Sequence, residues 1–249
     1  MIGLRGAVTF LTRLPVGGGG TESMASWFSL VGALIGLAVA GVYAALYPWL
    51  PSLLGAVVAV GAGIWLTGAL HEDGLADSFD ALGSGASGDE ALQIMRDSRL
   101  GTYGTTAVVI SLLWRVIAVG SLTPTVAVAG VVMAHSLGRA GSVALMALTP
   151  PARSDGLGRS GVVAVTARGV WFAILTGIGI SLLAGDWWAA ASVVVVAVAV
   201  IVLRRVSMRR VGGITGDLLG ACEQIGEMSV LAIVAGAAWQ GWTPWWAVA

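Results

Sequence analysis

Seven apolar stretches divide this chain: Trp27 to Leu46, Leu53 to Leu70, Thr105 to Leu122, Val126 to Leu148, Gly169 to Ala184, Trp187 to Leu203 and Ser229 to Ala247. Each approaches the roughly 20 apolar residues that a helix needs to cross a bilayer. In hydrocarbon every backbone N–H and C=O must be satisfied within the protein, which leaves the helix as the economical element for segments of this length. The expected fold class is therefore all-α: one polytopic integral membrane helical bundle of about seven transmembrane helices. It forms a single domain over residues 1–249, with the lipid bilayer as its main solvent.

The charge content agrees. Only 10% of the 249 residues are charged, against about 25% in an ordinary soluble domain. The 37 glycines suit close helix approach in lipid. The single Cys222 excludes an intramolecular disulfide,. All 13 basic residues are arginines, and 11 of them fall in the N-terminal arm or in the segments 71–104, 149–168 and 204–228. By the positive-inside rule those segments and the N-terminus are cytoplasmic, in the bacterial cytoplasmic (inner) membrane. No cleavable signal is read in Met1 to Arg13, which looks like an interfacial arm. Tyr43, Tyr47, Trp49, Trp187, Trp188 and the C-terminal tryptophans form an aromatic belt on the other side,. No nucleic-acid partner is expected.

Chemistry concentrates in the loops expected at 71–104 and 204–228. Immediately after the second span come His71-Glu72-Asp73-Gly74-Leu75-Ala76-Asp77-Ser78-Phe79-Asp80. On a helix Asp73, Asp77 and Asp80 would share one face. Like charges so placed call for a compensating cation, and hard carboxylate oxygens suit Mg²⁺. His71 abuts this run and is a candidate proton shuttle. A second cluster, Gln93 to Gly104, carries Arg96, Asp97 and Arg99. The arginines suit phosphate oxygens or membrane-edge anchoring, and Gly101 and Gly104 would let backbone amides approach an anion at a helix start. The third cluster joins Asp217 to Glu223 and Glu227, one turn apart. Arg115 and Arg139 lie inside apolar segments, where an acidic partner is the default expectation. Pairing with one of them would explain one of the glutamates. Arg139 sits nearer the cytoplasmic end and is the better phosphate binder, and His135 on the same helix reads as a buried, satisfied histidine.

Three segments together resemble the cobalamin synthase family, adenosylcobinamide-GDP ribazoletransferase: His71 to Asp80, Ile94 to Gly104, and Gly212 to Gly220 with Glu223 and Glu227. Weaker echoes occur at Phe10 to Pro15, at Gly138-Arg139, and at Arg153 with Gly156 to Gly158. The chain departs from the usual pattern at Ala81, where a glycine ordinarily follows the last aspartate. The resemblance implies a Mg²⁺-dependent transfer of the cobinamide phosphate of adenosylcobinamide-GDP to α-ribazole or its 5′-phosphate, with release of GMP. It implies metal ligation by Asp73, Asp77 and Asp80, and a metal-binding or acceptor-orienting role for Asp97. Arg96, Arg99 and Arg139 are expected at the diphosphate, and Asp217, Glu223 and Glu227 at the acceptor or a second metal. A homo-oligomer, or a complex with other enzymes of the nucleotide loop, is the possible assembly. The competing reading is an ion-coupled transporter using the same carboxylates, although transporters place such groups near the midplane on broken helices.

Overall fold

The computed structural model describes residues 2–17, 23–152 and 166–247. The echo at Arg153 and Gly156 to Gly158, and most of the Gly17 to Gly20 run, lie outside them. The described residues form ten α-helices and no strand: α1 (Ile2–Leu11), α2 (Phe28–Leu46), α3 (Ser52–Thr67), α4 (Leu70–Gly83), α5 (Gly88–Ile94), α6 (Thr102–Gly120), α7 (Pro124–Leu148), α8 (Ala167–Gly185), α9 (Trp188–Arg210) and α10 (Gly216–Trp239). Six are long and apolar enough to cross a membrane, and a seventh span arises if α3 and α4 are taken as one bent pair. The chain is thus a multi-pass membrane protein.

α7 is the hub, packed by α2, α10, α8 and α9. Its start is set by Pro124, whose fixed φ and missing N–H suit a first helical position,. Small residues dominate its contacts. A Cβ built on Gly32 of α2 would stand 2.4 Å from the His135 carbonyl oxygen, and one on Gly138 would stand 2.9 Å from that of Glu223. Since lipid is as apolar as the core, the bundle gains its cohesion from such close packing and from interhelical hydrogen bonds.

Two expectations are corrected. The segment 71–104, read as a loop, is mostly helical. α3 ends at Gly68 (φ 69°), whose N–H bonds back to Ile64 and Trp65, and Ala69 (φ 59°) follows in the same left-handed region. The chain leaves this turn bent by 88°, so α4 lies across the ends of α6 and α10, on which it packs. Similarly, 204–228 is helical apart from the short connection between α9 and α10. The last span begins at Gly216 rather than Ser229. The Thr215 hydroxyl caps it by accepting from the Leu218 N–H at 3.3 Å, and Glu223 and Glu227 enter the bundle because partners await them there. Beyond α10, Trp242 Nε1 and the Trp245 amide donate to Asp186 Oδ2, each at 3.3 Å, which occupies the lone acid of the aromatic side.

Candidate active site

The acidic face forms where α4 crosses the start of α10. The crossing is made on glycine: a Cβ on Gly74 would lie 2.8 Å from the Asp217 carbonyl oxygen, and one on Gly220 would lie 3.3 Å from Gly74 Cα. Backbone contact at this point brings the first and third motifs together, so that Asp73, Asp77 and Asp80 of α4 share one surface with Asp217. Asp73 is exposed; Asp77, Asp80 and Asp217 are half-buried. Burial and this crowding together push the Asp77 carboxyl up from 3.8 to about 7. Partial burial is the largest cause, followed by the charges of Asp73, Asp217 and Asp80. A face of hard oxygens in mutual repulsion fits a divalent cation such as Mg²⁺.

Asp80 has a further role. Its Oδ2 accepts from the Gly101 amide at 2.7 Å and its Oδ1 from the Gly104 amide at 2.8 Å. The anion at the start of α6 is thus a carboxylate of the chain itself, which satisfies two of the donors that a helix N-terminus leaves open. A Cβ at Gly101 or Gly104 would come within 2.4 Å of the same carboxylate, which accounts for both glycines of the second motif.

Arg96 and Arg99 lie exposed on the connection between α5 and α6. Asp97 is engaged by Arg99 through Nε at 3.0 Å and Nη2 at 2.5 Å, and by the Arg99 amide at 3.1 Å. These hydrogen bonds hold its carboxyl down at about 2. The pair is fully ionised and open to solvent.

His71, Arg139, Glu223 and Glu227 are brought together, but inside the bundle and not on its surface. Arg139 Nη1 contacts Glu223 Oε1 at 2.5 Å and Glu227 Oε1 at 2.9 Å, with side-chain exposures of 2%, 0% and 2%. Arg115 Nη2 pairs with Glu72 Oε1 at 2.9 Å, and its Nη1 lies 3.6 Å from Glu227 Oε2. His135 contacts Glu227, and His71 Nδ1 lies 3.6 Å from Glu223 Oε2. Gln224 donates to Glu223 at 3.1 Å and accepts from Ser111 at 2.9 Å. Expected at the substrate, Arg139, Glu223 and Glu227 are found paired with one another inside the bundle, where unpaired charge in an apolar span is costly,. A cavity of about 20 Å³ beside them has room for about one water molecule.

Among the described residues, His135, Glu223 and Glu227 bring one ligand atom each within 4.8 Å of one another. Arg139 bridges both carboxylates and Arg115 approaches Glu227, so this group is an ion-pair network that already holds cationic partners. Residue patterns missed the role of Glu72. It precedes Asp73 but turns into the bundle, 7% exposed, and its signal was Arg115, which needed an acidic partner.

The profile of the Cobalamin-5-phosphate synthase family matches residues 3–235. A protein of Bradyrhizobium diazoefficiens named adenosylcobinamide-GDP ribazoletransferase is 40% identical over 242 residues, covering 93% of this chain and 92% of its own. Proteins of the same name from Azorhizobium caulinodans and Mesorhizobium japonicum are 38% and 37% identical, covering 90% and 91% of this chain and 92% and 90% of their own. No solved structure shows a significant match. The match over nearly the whole chain, with the three motifs assembled on one end of a helical bundle, places this chain in the Cobalamin-5-phosphate synthase family.

Proposed function

We propose that the protein is a Mg²⁺-dependent adenosylcobinamide-GDP ribazoletransferase that works at the arginine-rich, cytoplasmic face of the bacterial inner membrane. The observation that carries the reading is the convergence of Asp73, Asp77 and Asp217 on one surface with the Asp77 carboxyl raised to about 7. In the reaction an acceptor hydroxyl of α-ribazole, or of its 5′-phosphate, attacks the phosphorus bonded to cobinamide. The phosphoanhydride bond breaks, GMP leaves, and the hydroxyl proton passes to a base at the site. A bound Mg²⁺ supplies charge neutralisation on the diphosphate, the main demand of phosphoryl transfer.

Asp73, Asp77 and Asp217 would hold the metal. Asp80 fixes the start of α6 against the acidic helix, which sets the position of the loop bearing Arg96, Asp97 and Arg99. Arg96 and Arg99 stand exposed on that loop as diphosphate contacts. The buried charges that an ion-coupled transporter would use are paired with each other around a cavity of about 20 Å³, which favours the enzyme.

The test is GMP release by purified protein in nanodiscs, given adenosylcobinamide-GDP and α-ribazole, with Mg²⁺ or EDTA. Turnover that needs metal and is lost in Asp77→Asn is expected. Well-folded protein that releases no GMP with either acceptor would overturn the assignment.

A further inference from the structure

Between the end of α7 and the start of α8 lies a crevice of about 750 Å³ lined by Ala144, Met146, Ala147, Thr149, Val170 and Trp171, among others. That volume falls in the range of about 300–1,000 Å³ typical of ligand pockets. Among the described residues the lining is apolar except for Thr149, which is 3% exposed and whose hydroxyl has no hydrogen-bond partner. A buried hydroxyl left unpaired is costly, so a polar atom of a ligand would relieve it.

The rim is basic. Arg204 of α9 donates its Nε–H at 2.8 Å to the carbonyl of Leu148, itself a lining residue, while remaining exposed. This holds its guanidinium beside the crevice. Arg168, exposed, directly follows the lining residue Ala167. α8 and α9 are the least buried of the spans. Their surfaces expose Trp171, Phe172 and Leu175 on one helix and Val198, Ile201 and Val202 on the other, so the crevice adjoins the lipid-facing side.

We propose that this crevice binds one anionic phospholipid, its acyl chain against the apolar wall and its head-group phosphate on Arg204 and Arg168. Guanidinium suits phosphate oxygens, and basic pockets between membrane helices are a recurrent site for anionic head groups. The lipid's ester carbonyl is the natural acceptor for Thr149. The crevice neighbours the third motif, since its lining residue Pro150 accepts from the Ile214 N–H at 2.8 Å, so the substrate is the competing occupant that the test must separate from lipid.

The test is native mass spectrometry of the full chain after equilibration with equal amounts of phosphatidylglycerol and phosphatidylcholine. One phosphatidylglycerol per chain should be retained, preferred about 25-fold, or about 5-fold for each arginine. Arg204→Gln and Arg168→Gln should each lower that preference about 5-fold, and Ala147→Phe, which fills the crevice from an exposed position, should reduce retention of both lipids. Arg168 is exposed, so its variant keeps the test valid if another misfolds. Equal retention of the two lipids by the unaltered protein would overturn the proposal. So would a preference unchanged in both arginine variants, or displacement of the lipid by excess adenosylcobinamide-GDP, which would assign the crevice to substrate.

Discussion

Replacing Asp77 by asparagine should make the protein more stable and less active at once. In the fold its carboxyl is raised from 3.8 to about 7, which is about 4 kcal/mol if taken whole. Asp77 is only half-buried, and solvent screening reduces this to about 1–2 kcal/mol. The sign follows from proton counting: between pH 4 and 7 the folded chain holds a proton that the unfolded chain has lost, so stability falls as pH rises through that window. Asparagine carries no charge to repel. In EDTA at pH 8, Asp77→Asn should therefore be more stable by about 1–2 kcal/mol, measured by thermal unfolding in detergent. By pH 5 the gap should narrow. Saturating Mg²⁺ should close or reverse it, because only the aspartate protein gains metal-binding energy. Turnover should fall at least about 100-fold, as expected when several kcal/mol of charge stabilisation is lost. A variant that is neutral or destabilised at pH 8 without metal would refute the crowding of Asp73, Asp77, Asp80 and Asp217.

Arg115→Met should destabilise by about 3–5 kcal/mol by leaving Glu72 buried and unpaired; the double variant with Glu72→Gln should recover most of that loss in the same unfolding assay. Gly74→Ala forces a Cβ to within 2.8 Å of the Asp217 carbonyl oxygen, so Mn²⁺ affinity measured by electron paramagnetic resonance should drop for a stability cost of about 1–3 kcal/mol. Asp80→Asn replaces a carboxylate that holds two amides of α6 and should cost about 1–2 kcal/mol, with faster hydrogen exchange confined to the first turn of α6.

Much of this architecture is dictated locally. The apolar stretches, too long and too poor in charge for a soluble core, require helices in lipid wherever they occur, and the spacing of Asp73, Asp77 and Asp80 makes them one face as soon as the segment is helical. The motif glycines at Gly101 and Gly104 announce an anion at a helix start by the same local logic. What local pattern does not contain is which anion arrives. That Asp80 fills the site depends on the 88° turn at Gly68, which lays α4 across α6, and on the Gly74–Gly220 contact that brings Asp217 to the same surface. Glu223 and Glu227 show the same division. Their spacing reveals a shared helix face, but whether that face meets substrate or arginine depends on which helices stand opposite. Arg139 and Arg115 come from spans more than 80 residues away in sequence. Charge in an apolar interior is tolerable only beside its counter-charge, so the tertiary packing that unites these residues decides that they hold the bundle together while the aspartates of α4 are left to the solvent face.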